Sequence, residues 1–143
     1  MNREQYETKI YLSKVKGHKL KIESHLMRIE ELEAYVNKIS SFPATEKVVG
    51  GSDKVEAYNN KLAKLIDEKT KIMAKIDKLN QEIKEVEMLI DSLSDIRIKT
   101  ILTYRYINCL TWEEIGKRTT ITERQSINLH HRGLSMIAQL IKT

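Results

Sequence analysis

Residues 111–142 read TWEEIGKRTTITERQSINLHHRGLSMIAQLIK, and they hold two helix starts in quick succession. Thr111 stands three residues before Glu114, and Thr122 three before Gln125. In each pair the Thr hydroxyl can accept from the amide at the third helical position while the Glu or Gln side chain reaches back to the Thr amide. Two donors that a helix start leaves orphaned are thereby satisfied. The starts lie eleven residues apart, enough for one short helix and a tight turn, which is the spacing of a helix-turn-helix. Gly116 follows apolar Ile115, and the pattern predicts that the first helix crosses the second closely at that glycine.

Upstream, DIRIKTILTYRYI (95–107) reads as a short apolar-rich helix from Ile96 to Ile107, opened at Ser94 and Asp95. Tyr106 and Trp112 are expected to fill the core of a three-helix bundle rather than to stack on bases. Farther upstream, apolar residues recur at alternating spacings of three and four: Val55, Tyr58, Leu62, Leu65, Ile72, Ile76, Leu79, Ile83, Val86, Ile90 and Leu93, broken only by Lys69. A seam this narrow requires a partner helix, and a lysine at one inward position commonly fixes register or oligomer state. A first helix, from about Glu4 to Ile39, carries Leu12, Val15, Ile22, Leu26, Ile29, Leu32, Val36 and Ile39 along one face. Its step from Ile29 to Leu32 to Val36 departs from strict heptads in that assignment, so packing should adjust there.

Between these helices, Ser40–Ser52 contains Phe42, Pro43, Gly50 and Gly51, the strongest breaker cluster of the chain. Asp53 with Glu56 is the expected cap of the second helix. The fold class is therefore all-α: residues 1–93 as a helical hairpin or coiled coil with a loop near 40–53, then a small helix-turn-helix bundle over 94–143. The pattern leaves open whether the long helices pair within one chain or across a dimer.

Composition agrees with an extended helical chain, since charged residues make up 31% against 41% hydrophobic, with a single Pro. From Asp95 onward there are eight Lys and Arg against four Asp and Glu, which places +4 of the formal +5 in the last third. A compact basic module suits a polyanionic partner, because each cation at a phosphate releases condensed counterions. Cys109 is alone and cannot form an internal disulfide, so a reducing cytoplasm is expected. The opening MNREQYETKIYLSKV has no apolar core like that of a signal peptide, and no apolar run reaches membrane-spanning length. Adjacent His130 and His131 diverge on a helix, and His18 and His25 have no third ligand in view, so no metal, cofactor or enzymatic activity is expected.

The run LTYRYINCLTWEEIGKRTTITERQSINLHHRGL (102–134) resembles region 4 of bacterial sigma factors. It is closer still to the sigma-region-4-like domain of phage and prophage late-gene transcriptional activators of the ArpU and RinA kind. The resemblance covers Asp95 to Ile141 and is sharpest at RYI (105–107), TWEEIG (111–116) and LHHRGL (129–134). The KVVGGSDKVE segment (47–56) is similar to the N-terminal part of related prophage proteins.

This resemblance implies a DNA-binding activator of late phage genes in a bacterial cytoplasm. Its partners would be double-stranded DNA, RNA polymerase and a second copy of the chain, a dimer being the favoured assembly, with no membrane involved. The matching contact residues are Thr122, Glu123, Arg124, Gln125, Asn128 and Arg132, with Lys117 and Arg118 near the DNA backbone and His131 within reach of bases or phosphates. Two positions depart from the pattern. Thr119 and Thr120 stand where an apolar residue and a glycine are usual. Ser126 stands where Val or Ile is usually buried, so either the serine is tolerated or the turn is one residue longer and Ile127 takes the buried place. Two other readings remain: a small terminase subunit that marks DNA for packaging, and a coiled-coil adaptor that binds protein.

Overall fold

In a computed structural model, which describes residues 1–40 and 51–143, every regular element is helical and no strand occurs among the described residues. In chain order the helices are α1 (Arg3–Ser40), α2 (Gly51–Asp91), α3 (Ile96–Leu102), α4 (Trp112–Arg118) and α5 (Glu123–Lys142), with a π-helical turn over Thr103–Ile107. Most of the loop expected near 40–53 lies outside the described residues. Helix α2 already includes Gly51, so Asp53 sits inside its first turn instead of capping it. A carboxylate there still favours the positive end of the helix dipole.

The chain divides into two compact units, residues 21–78 and a second made of 1–20 with 79–143. The expected boundary fell at 93/94, whereas these units divide at 20/21 and 78/79. Thr8, Leu12 and Val15 of α1, Ile83, Val86 and Ile90 of α2, and Leu93 just after it are buried in the same unit as the three C-terminal helices.

In the unit of residues 21–78, the segments of α1 and α2 run antiparallel. Arg28 Nη2 meets Glu68 at 3.0 Å, Lys69 Nζ meets Glu33 at 2.9 Å, and the Tyr58 hydroxyl donates to the Ile39 carbonyl at 3.2 Å. Lys69 is half-buried at its place in the series, and its ammonium reaches a carboxylate on the facing helix. Leu32, Ile39 and Ile72 are buried. Leu26, expected on the inner face, is 49% exposed, whereas His25 is half-buried. With His25 inward, the series Ile22, His25, Ile29, Leu32, Val36, Ile39 alternates three and four without a break, so no departure from heptads exists here.

In the other unit, His18 Nε2 lies 2.5 Å from Glu82 Oε2 between α1 and α2. Helix α1 is joined to α5 by Gln5, whose side-chain amide donates to the His131 carbonyl (3.0 Å) and to Ser135 Oγ (2.8 Å). Lys142 pairs with Glu4 nearby. Asp95 caps α3 by accepting from the amides of Arg97 and Ile98.

The expected helix over Ile96–Ile107 is α-helical only as far as Leu102. Beyond it the Asn108 amide bonds back to Thr103 and the Leu110 amide to Tyr104, a wider turn that ends at Cys109 with φ +57°. Left-handed backbone is unusual for a side-chain-bearing residue and marks local strain.

Helix α3 packs extensively on α5, and the close approach is at Gly133. A Cβ there would lie 2.8 Å from Ile98 Cγ2 and 2.9 Å from Leu102 Cδ1. Gly116, expected to serve this purpose, has nothing within 4 Å of where its Cβ would be. The tight crossing therefore belongs to α3 and α5, and α4 makes no such demand.

Candidate nucleic-acid interface

Both capping boxes are formed. Thr111 Oγ1 accepts from the Glu114 amide at 3.2 Å, and Glu114 Oε1 accepts from the Thr111 amide at 3.3 Å. The Thr111 amide and hydroxyl, with smaller help from Arg118 and Lys117, hold the Glu114 carboxyl below its ordinary pKa. At α5, Thr122 Oγ1 accepts from the Gln125 amide and Gln125 Oε1 from the Thr122 amide, both at 3.2 Å.

Four residues, Thr119–Thr122, link α4 to α5. Thr119 is extended (φ −123°, ψ 162°), and its amide and hydroxyl both bond back to the Ile115 carbonyl. None of the turn residues has a positive φ. A glycine is therefore not required, which explains how Thr119 and Thr120 occupy this turn.

The inward face of α5 consists of Ser126, Leu129, His130, Gly133, Leu134, Ile137 and Ala138. Ser126 is fully buried and Ile127 only half-buried, so the serine occupies the position a larger apolar residue would fill. Its Oγ is buried without a hydrogen-bond partner. At about 100° per residue, Arg124, Gln125, Asn128 and Arg132 fall on an arc opposite this face, and all four are exposed.

Of the nine residues singled out from the sequence, eight are exposed: Lys117, Arg118, Thr122, Glu123, Arg124, Gln125, Asn128 and Arg132. They lie on two helices joined by one short turn. Lys117 pairs with Glu113 at 3.6 Å, one turn earlier on α4. Arg118, Arg124 and Arg132 make no ion pair among the described residues. Glu123 lies in the first turn of α5, where its charge suits the helix dipole.

His131 stands apart. It is half-buried, its carbonyl accepts from Gln5, and its ring lies 5.5 Å from that of His130.

Behind this surface His130 is buried in an aromatic cluster. Tyr106 stacks on it with ring centroids 5.6 Å apart, Trp112 meets it edge-on at 4.9 Å, and the Tyr106 hydroxyl lies 2.5 Å from its Nε2. Burial pushes the phenol up to about 12. It pushes the imidazole down to about 4, with smaller contributions from the positive charges of His131, Arg105 and Lys9. Both groups are therefore neutral at pH 7. The phenol, the stronger acid, is assigned as the donor to Nε2, which leaves the imidazole proton on Nδ1, a buried atom without a partner.

Arg105 completes the cluster. Its guanidinium lies 4.7 Å over the Trp112 ring and donates to the Leu110 carbonyl at 3.0 Å. The inward place of His130 could have been read from its spacing to Ser126, Gly133 and Leu134; no local signal announces the partnership with Tyr106.

No helix among the described residues is long and apolar enough to cross a membrane, and no cluster of metal-ligating side chains occurs among them. Comparison with known proteins finds no matching family model, curated protein or solved structure.

Proposed function

We propose that this chain is a sequence-specific DNA-binding regulator of transcription, with α5 as its reading helix and late phage genes as its target class. The supporting observation is the outer edge of α5: Arg124, Gln125, Asn128 and Arg132 are exposed together, opposite a buried face, directly after a capped helix start. A helix presented end-first with such a polar edge fits a B-DNA major groove, where Asn, Gln and Arg match the donor and acceptor patterns of base edges.

The geometry suggests a division of labour. Asn128 has both amide atoms available for an adenine. Gln125 Oε1 is engaged by the Thr122 amide, so Gln125 would donate to a base acceptor through its NH2. Arg124 and Arg132, without an ion pair among the described residues, suit guanine or phosphate. Glu123 can accept only from a base amino group such as that of cytosine, because a phosphate would repel it. Lys117 and Arg118 would position the module through phosphates. RNA polymerase and a second copy of the chain are the further partners that this reading carries.

Titration of labelled duplexes over a salt series tests the proposal. A steep fall of affinity with salt is expected, together with tighter binding to a preferred sequence than to random duplex at every salt. Equal affinity for all duplexes would refute sequence-specific regulation.

A further inference from the structure

Lys9, Lys16 and Arg105 line one pocket of about 130 Å³ between α1 and the turn after Tyr106, inside the unit made of 1–20 and 79–143. No acidic side chain lines it, and none of the three cations has an ion-pair partner among the described residues. Arg105 occupies the Leu110 carbonyl at 3.0 Å, Ser13 Oγ donates to the Lys9 carbonyl at 2.6 Å, and Lys19 is bonded to the Ile107 carbonyl. The lining of this concavity thus brings together two lysines and an arginine and includes no carboxylate.

Like charges held together cost free energy unless an anion joins them, and a phosphoryl group brings about one to two negative charges and strong acceptor oxygens. Size narrows the choice further. Pockets that take drug-sized ligands begin at about 300 Å³, so this one is of a size for a single phosphoryl group. Arg105 is held in place by the Trp112 ring and the Leu110 carbonyl, so part of the ordering cost of binding is already met. The same positive field reaches His130, whose protonation Arg105 and Lys9 oppose.

We propose that this pocket binds a phosphoryl group through Lys9, Lys16 and Arg105, a site separate from the outer edge of α5 and independent of the reading given to that edge. The phosphoryl group has two possible sources, free phosphate (or a phosphomonoester) and the backbone of a nucleic acid.

The test is calorimetric titration of the full chain with inorganic phosphate, at ionic strength held constant with chloride, alongside Trp112 fluorescence. The expected result is one saturating site per chain. Its affinity should fall at least tenfold in the Lys9→Gln/Lys16→Gln double variant with the helical circular dichroism unchanged. No saturation in the wild type, or an unchanged isotherm in the double variant, overturns the proposal.

Duplex DNA then identifies the source. If the backbone supplies the group, phosphate competes with duplex, and the double variant flattens the slope of log affinity against log salt by up to about 2. If a free ligand does, the double variant and the wild type bind duplex alike. Arg124→Ala, which lies outside the pocket, should keep the phosphate isotherm whether or not the chain binds DNA, so failure of the regulator reading is distinguishable from failure of this one.

Discussion

Acidification from pH 7.5 to pH 5 should destabilise the unit containing α3–α5 through one residue, His130. Its folded pKa is pushed down to about 4 from an ordinary 6.5, chiefly by burial. As pH falls below 6.5 the unfolded chain takes a proton that the folded imidazole refuses. Stability present above pH 6.5 is then lost at about 1.4 kcal/mol per pH unit, and the loss stops near pH 4, where the folded state also protonates. The loss by pH 5 is about 2 kcal/mol, rising toward about 3 kcal/mol at the lower limit. Urea unfolding followed by fluorescence reads this directly, because Trp112 is the only tryptophan and its ring lies 4.9 Å from that of His130. Other groups titrate over the same range, so the quantity of interest is the difference from His130→Gln, which cannot titrate but can still accept from Tyr106. The wild type should lose about 2 kcal/mol more than the variant between pH 7.5 and pH 5. Parallel stability profiles for the two proteins would refute the assignment of a buried neutral imidazole.

Other substitutions probe the supports of α5. Ser126→Ala removes a buried hydroxyl that has no partner and should stabilise the protein by about 1 kcal/mol in urea titrations; destabilisation would mean that the hydroxyl is satisfied. Gly133→Ala drives a methyl to within 3 Å of Ile98 and Leu102, both fully buried, and should cost about 1–2 kcal/mol despite its better helix propensity. At Gly116, with open space around its Cβ position, the same change should stabilise by up to about 1 kcal/mol. Thermal melts of the two alanine variants should therefore move in opposite directions. Thr122→Ala removes the cap that also anchors Gln125; a loss of about 1 kcal/mol should be accompanied by weaker duplex binding, measured by anisotropy.

What was legible in the sequence is what rests on short-range chemistry. The Thr111–Glu114 and Thr122–Gln125 pairs each specify a helix start within four residues, and both form as the spacing requires. The α2 seam was readable from Tyr58 onward because its period is carried by apolar residues almost throughout, while Val55, its first expected member, is exposed. On α1 the apolar character of Leu26 drew the inner face one residue away from His25, although the spacing from Ile22 to Ile29 accommodates His25 just as well. A polar residue at an inward position is hard to recognise when an apolar one stands beside it.

Features set by tertiary contact were not legible. Gly116 and Gly133 look alike as sequence, and only the distance to Ile98 and Leu102 shows which one a crossing helix needs. The wide turn over Thr103–Ile107 carries no local mark. Nor did anything near Gln5 announce that it would bond to α5, more than a hundred residues away. The division into units differs from the expected boundary at 93/94 for that reason, since long-range contacts group residues 1–20 and 79–93 with the C-terminal helices. The outer edge of α5 was readable as a polar stripe, while the choice between Ser126 and Ile127 for the buried place required the packed structure.

The central claim is that side chains on that stripe select base pairs. Selection of bound sequences from a random duplex pool, run in parallel with wild type, Arg124→Ala and Asn128→Ala, tests it most directly. Wild type should enrich one motif, and each variant should relax that motif at its own position while keeping the rest. An unenriched wild-type pool, or an identical motif from all three proteins, would contradict the account.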